Sequence, residues 1–126
     1  MIFEDFKDKL VNMGYSYSTY DLPTGHEYIF ELPKVPNKSV NFFFCRYRED
    51  TDYLEYYPLY DNVDSGRVGY LSDMGEDWFD FAATVHQQSY QIYVIRQKEE
   101  EIKNNKVMFE KIEDYTEILL PDNLLV

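Results

Sequence analysis

Apolar residues at Phe3, Phe6, Leu10 and Met13 recur at intervals of three and four, the spacing that lines one face of a helix. Gly14 follows and predicts its stop. The pattern then changes to alternation. In YSYSTY, Tyr15, Tyr17 and Thr19 fall on one face of a strand and Ser16, Ser18 and Tyr20 on the other. DLPTG supplies a turn, and HEYIFEL reads as the hairpin partner.

Two prolines in PKVPNK lack the donors a ladder needs, so that segment is expected to be a loop. VNFFFCRYR is dense in residues that favour a pleated, buried surface, which predicts a central strand with Val40 to Arg46 internal. DYLEYYPLY follows, and Pro58 implies an edge or a break. NVDSG is a turn candidate before a short strand at RVGYL.

A helical period returns in EDWFDFAATVHQ, with Trp78, Phe81, Ala82 and Val85 expected to face the sheet. Asp73, or the pair Glu76 and Asp77, is placed to face the amides of its first turn. The Tyr, Ile and Val of Tyr90 to Arg96 predict a strand, although Ile92, Ile95 and Ile102 also permit the helix to continue through QKEEEIKNN. Beyond Val107, the spacing of Met108, Ile112, Tyr115 and Leu119 permits a helix and the alternation in VMFEKI a strand. The sum is an α+β fold, one antiparallel β-sheet packed against two or three helices, expected as a single compact domain over residues 1–126.

Composition narrows the function. The net charge is −12, from 24 acids against 12 bases. It disfavours direct contact with nucleic acid or an anionic membrane and leaves a basic protein surface as the natural partner. High negative charge also serves solubility without any partner. The N-terminus lacks the pattern of a signal peptide and no apolar run approaches the ~18 residues of a membrane span, so a cytoplasmic protein is expected.

Most chemistry lacks its signature. Cys45 is the only cysteine, which forbids an intrachain disulfide and suits a small buried hydrophobe. His26 and His86 stand outside any catalytic pattern and are read as structural or surface residues. Closed zinc sites need four converging ligands. DNVDSGRVGYLS has Gly66 at the sixth position of a calcium loop, but Val63 and Ser72 occupy the third and twelfth. The phosphate-loop pattern is absent. No metal, no organic cofactor and no catalytic residue is therefore expected.

The charge is regional. Glu49, Asp50, Asp52, Glu55, Asp61, Asp64, Asp73, Glu76, Asp77 and Asp80 face Arg67 alone, so ten acids and one base give −9 of the chain's −12. Tyr53, Tyr56 and Tyr60 are interleaved with them and supply amphipathic contact area. This stretch is the expected partner surface, with Asp50, Asp52, Glu55, Asp61 and Asp64 the first charges to test. In composition the chain resembles phage-encoded DNA-mimic inhibitors and small bacterial immunity proteins, a likeness of charge without a shared motif. It implies a small binding or inhibitory protein whose carboxylates imitate nucleic-acid phosphates. The competing readings are an assembly protein with a solubilising acidic exterior and an enzyme with an unrecognised carboxylate site.

Overall fold

The computed structural model describes residues 1–59 and 63–116. Helix α1 (Phe3–Asn12) is followed by strands β1 (Ser16–Leu22), β2 (Gly25–Leu32), β3 (Phe42–Arg48), β4 (Tyr53–Tyr56) and β5 (Arg67–Tyr70). Single 3₁₀ turns at Val63–Ser65 and Leu71–Asp73 precede and follow β5, and helix α2 (Glu76–Thr116) closes the described chain. The strands form one antiparallel sheet in the order β1-β2-β3-β4-β5, an α+β arrangement with two helices on the same face.

Local chemistry explains the entry. Glu4 and Asp5 sit in the first turn of α1, where negative charge opposes the helix dipole favourably, and Lys9 sits in its last turn. Gly14 adopts φ +97°, a conformation that costs glycine little. The Gly14 amide then donates to Val11 O and the Tyr15 amide to Leu10 O, a Schellman cap in which buried Tyr15 packs over buried Leu10. The cap aims Tyr15 into the core.

The core lies between this helix pair and one face of the sheet. Phe6, Leu10, Phe30, Phe42, Phe44, Leu54, Leu71 and Phe79 are all buried. Phe3 stacks on Tyr47 at 4.5 Å between ring centroids, and Phe6 meets Phe30 and Phe79 edge-on. Such ring pairs add directional preference to the area they bury. A bulge sets the register: Phe30 pairs with Cys45 but Glu31 with Phe43, so Phe44 is an extra residue on β3. Consecutive Phe44 and Cys45 are consequently both buried, and Phe43, Arg46 and Arg48 fall on the outer face.

Three expectations need correction. Val40 is 60% exposed and precedes the strand, which starts at Phe42 because Pro33, Pro36 and a left-handed Asn37 keep the loop out of the ladder. Tyr90 to Arg96 is helical, because no Pro or Gly interrupts α2 from Glu76 to Thr116 and Tyr90 and Tyr93 dock edge-on against Phe42. The face of α2 turned to the sheet carries Phe79, Ala82, Ala83 and His86, whereas Phe81 is 69% exposed. Trp78 and Ala82 do pack inward as expected, and Val85 is half-buried. The residues after Val107 continue the helix to Thr116, and Leu119 lies outside the described residues.

Candidate functional site

Three turns meet at one end of the sheet. The β1–β2 turn is tied to the β3–β4 turn by Thr24 Oγ1, which donates to Asp50 at 3.0 Å, and by the Glu49 amide, which donates to His26 O at 2.9 Å. Arg48 adds a charge-assisted bond to the same Asp50 carboxylate at 3.0 Å. Partial desolvation works against ionisation of Asp50, but the bonds from Thr24 and Arg48 outweigh it and hold the carboxyl below its ordinary range.

Asp52 joins the third turn. It occupies the left-handed region at φ +58°, which Asp tolerates better than most residues. Its carboxylate accepts from Tyr47 Oη at 2.7 Å and from the Ser72 amide at 2.9 Å, and its carbonyl accepts from the Leu71 amide at 3.1 Å. Desolvation again opposes ionisation, and the Ser72 and Tyr47 bonds prevail to lower the pKa. Burial, followed by the bond to Asp52, pushes the Tyr47 phenol upward. Asp52 is thus a structural latch between the β3–β4 turn and the entrance to α2.

The latch predicts a measurable cost. Asp52→Ala removes both bonds and puts a Cβ without a compensating side chain in the left-handed region, so a loss of about 2–3 kcal/mol is expected in urea unfolding. Asp52→Asn keeps the turn preference and an acceptor, and should lose about half as much.

The remaining acids divide by location. Glu49 is exposed and lies 3.6 Å from His26 Nδ1, with Asp21 3.4 Å from Nε2 of the same ring. Asp73, Glu76, Asp77 and Asp80 are exposed where β5 leads into α2, and Glu76 pairs with Lys9 at 3.2 Å. Glu55 lies on the outer face of the sheet, opposite Arg46 in register, and accepts from Tyr57 Oη. Tyr53 pairs in register with Tyr70 on that face. Tyr56 instead turns to the core, edge-on to Trp78 at 5.1 Å. Asp64 is exposed at the far end of the short strands, and Tyr60 and Asp61 lie outside the described residues.

The sequence stretch therefore contributes two acidic groupings and a half-buried tyrosine packed on the core. Asp21 and His26 belong to the three-turn end although they lie outside Glu49 to Asp80. Their pairing across the hairpin was the available signal, since β1–β2 register puts Asp21 opposite His26. The outer face also carries a shallow open depression lined by Arg46, Arg48, Thr51, Tyr53, Glu55 and Tyr70. Its arginines are already engaged: Arg46 with Glu27 at 3.2 Å and Arg48 with Asp50.

Neither histidine has the surroundings of a catalytic dyad with a buried acid. His86 is fully buried, with Nε2 2.9 Å from Phe43 O and Nδ1 2.7 Å from Tyr15 Oη. Because a carbonyl only accepts, Nε2 carries the proton and Nδ1 accepts from the tyrosine. Cys45 is free and buried, as its sequence context predicts, and burial raises its pKa well above the ordinary thiol value. Among the described residues no three His, Cys, Asp or Glu side chains are grouped to hold a metal ion, and no helix is long and apolar enough to cross a membrane.

No family model, curated protein or solved structure matches the chain.

Proposed function

We propose that the protein is a small cytoplasmic binding or inhibitory protein that presents the three-turn end to a basic protein surface, its carboxylates standing in for nucleic-acid phosphates. The observation that carries this reading is the Asp52 latch. It ties the turn that carries Glu49 to the turn that carries Asp73, with Glu76 and Asp77 four and five residues beyond the latched Ser72 amide. The nearby bases Arg48 and Lys9 are each paired with an acid. Negative charge fixed on rigid turns steers a cationic partner and costs little ordering on binding.

The latch also separates two kinds of acid. Asp50 and Asp52 hold the turns together, so they are poor choices for a charge-reversal test despite their place in the sequence. Glu49, Asp73 and Asp77 are exposed and are the contact charges in this reading. Affinity capture from native lysate at low and moderate salt identifies the partner. With that partner purified, Glu49→Lys/Asp73→Lys/Asp77→Lys should weaken binding by about tenfold or more, mainly through a slower association rate. Added salt should weaken the wild type as screening shortens the field. Unchanged kinetics in a variant with a wild-type unfolding midpoint would reduce these acids to a solubilising role.

A further inference from the structure

We infer that the open depression on the outer face of the sheet binds a free aromatic amino acid, held as a zwitterion. This inference does not rest on the reading of the acidic end. The depression has a volume of about 430 Å³ and is lined by Arg46, Arg48, Thr51, Tyr53, Glu55 and Tyr70, from β3, the β3–β4 turn, β4 and β5. That volume falls in the range of small-molecule sites.

The strand register sets the chemistry of the depression in two rows. Arg48 lies opposite Tyr53, which lies opposite Tyr70, and Arg46 lies opposite Glu55. Opposite side chains in a ladder start about 5 Å apart at Cβ, close enough for an arginine and a glutamate to pair. Among the described residues these two do not. Arg46 Nε is held by Glu27 at 3.2 Å, from a strand that does not line the depression, and Glu55 accepts from Tyr57 Oη. Arg48 is held through one terminal nitrogen by Asp50, which also lies outside the lining. A guanidinium has five N–H donors and a carboxylate about four acceptor sites, so each group keeps capacity for a ligand. The depression thus presents cationic and anionic groups that are held apart.

Tyr53 and Tyr70 supply the apolar part. They are 36% and 54% exposed and, although opposite in register, make no ring contact with each other among the described residues. Neither ring is spent on the other, so both can pack against an aromatic body. Charge then selects the ligand class. The lining holds two bases and one acid within a chain of net charge −12. A phosphate dianion is repelled by the field of the whole chain, and a simple cation by the two guanidinium groups. An aromatic α-amino acid has no net charge and meets neither penalty. Its carboxylate lies on the guanidinium edges, its ammonium on Glu55 and its ring against the tyrosines.

Titration of the isotope-labelled chain with L-phenylalanine, followed by amide NMR shifts, tests this. Saturable shifts centred on the lining residues are expected, with a dissociation constant on the order of 1 mM for so open a site. Hydrocinnamate, which lacks the ammonium, and phenethylamine, which lacks the carboxylate, should each bind about tenfold more weakly. Arg46→Gln should weaken L-phenylalanine about tenfold and leave phenethylamine unchanged. Glu55→Gln should weaken L-phenylalanine to a similar degree and leave hydrocinnamate no weaker. The amide dispersion of each variant checks that it is folded. No saturable shift up to about ten times the expected constant, or either analogue binding as tightly as L-phenylalanine, overturns the proposal. Binding of L-phenylalanine that is indifferent to both substitutions overturns it as well.

Discussion

Phe79→Ala is expected to cost about 3–5 kcal/mol of unfolding free energy, whereas Phe81→Ala, two residues away, should change stability by less than about 0.5 kcal/mol. Both lie in WFDFAA and are equally apolar. Phe79 is 3% exposed and contacts Phe6 at 5.8 Å and Trp78 at 6.5 Å between ring centroids; Phe81 is 69% exposed. Truncating Phe79 opens a cavity between α1, α2 and the sheet, whose rigid ring neighbours limit collapse. Urea unfolding followed by tryptophan fluorescence reads both effects through the adjacent Trp78. Equal costs at the two positions would mean that α2 is rotated about its axis from the arrangement described here.

The second large effect concerns His86. Its ring lies 4.4 Å from that of Phe44 and 5.1 Å from that of Phe42, while its two nitrogens satisfy Tyr15 and the Phe43 carbonyl. His86→Ala leaves a cavity and strands the buried Tyr15 hydroxyl, for an expected loss of about 3–4 kcal/mol. The intact residue should also give the protein an acid-sensitive stability. Burial lowers its pKa from 6.5 to about 4, against a smaller opposing effect of the Phe43 carbonyl. The unfolded state therefore binds a proton first. Stability from this group is fully present above pH 6.5 and falls as the pH is lowered through 6.5 towards 4, by on the order of 3 kcal/mol in total.

The carboxylates act in a lower window. The pKa values of Asp50 and Asp52 are depressed below the ordinary 3.8, so their contribution is present above 3.8 and is lost as the pH falls further. Unfolding midpoints between pH 7 and 4.5 consequently report mainly on His86. In His86→Phe, which keeps the ring and removes the titrating nitrogens, the midpoint should flatten across that range. A wild-type midpoint that is already flat would show that the folded protein accommodates the imidazolium.

The elements that could be read directly are those whose determinants are local. Gly14 marks the end of α1 because only a left-handed residue closes that cap, and the hairpin over Ser16–Leu22 and Gly25–Leu32 follows from alternation about a Pro-Thr-Gly turn. The aromatic run of β3 announces a central strand through its β-favouring side chains, and Pro58 correctly predicts a break, since β4 ends at Tyr56. Burial of Cys45 follows the same logic. A local rule also misled: Tyr90 to Arg96 is rich in β-favouring residues, yet a helix already nucleated at Glu76 extends through it at the small cost of propagation, and docking on Phe42 offsets the unfavourable propensity.

Residue order alone establishes that the chain is acidic, that the acidity is concentrated between Glu49 and Asp80, and, through its apolar periods, that an antiparallel sheet packs with helices. Tertiary structure alone decided what each carboxylate does. Asp50 and Asp52 look the same as Glu49 and Asp73 in the sequence, but Thr24 and the Ser72 amide reach the first two across the fold, adding to bonds from the nearby Arg48 and Tyr47, and leave the others at the surface. Likewise, WFDFAA offers two candidate apolar faces, and the position of Phe6 on a different helix selects Phe79 over Phe81. The reason is common to both cases: charge and helical period are properties of a segment, whereas desolvation and hydrogen-bond satisfaction depend on groups brought together from distant parts of the chain.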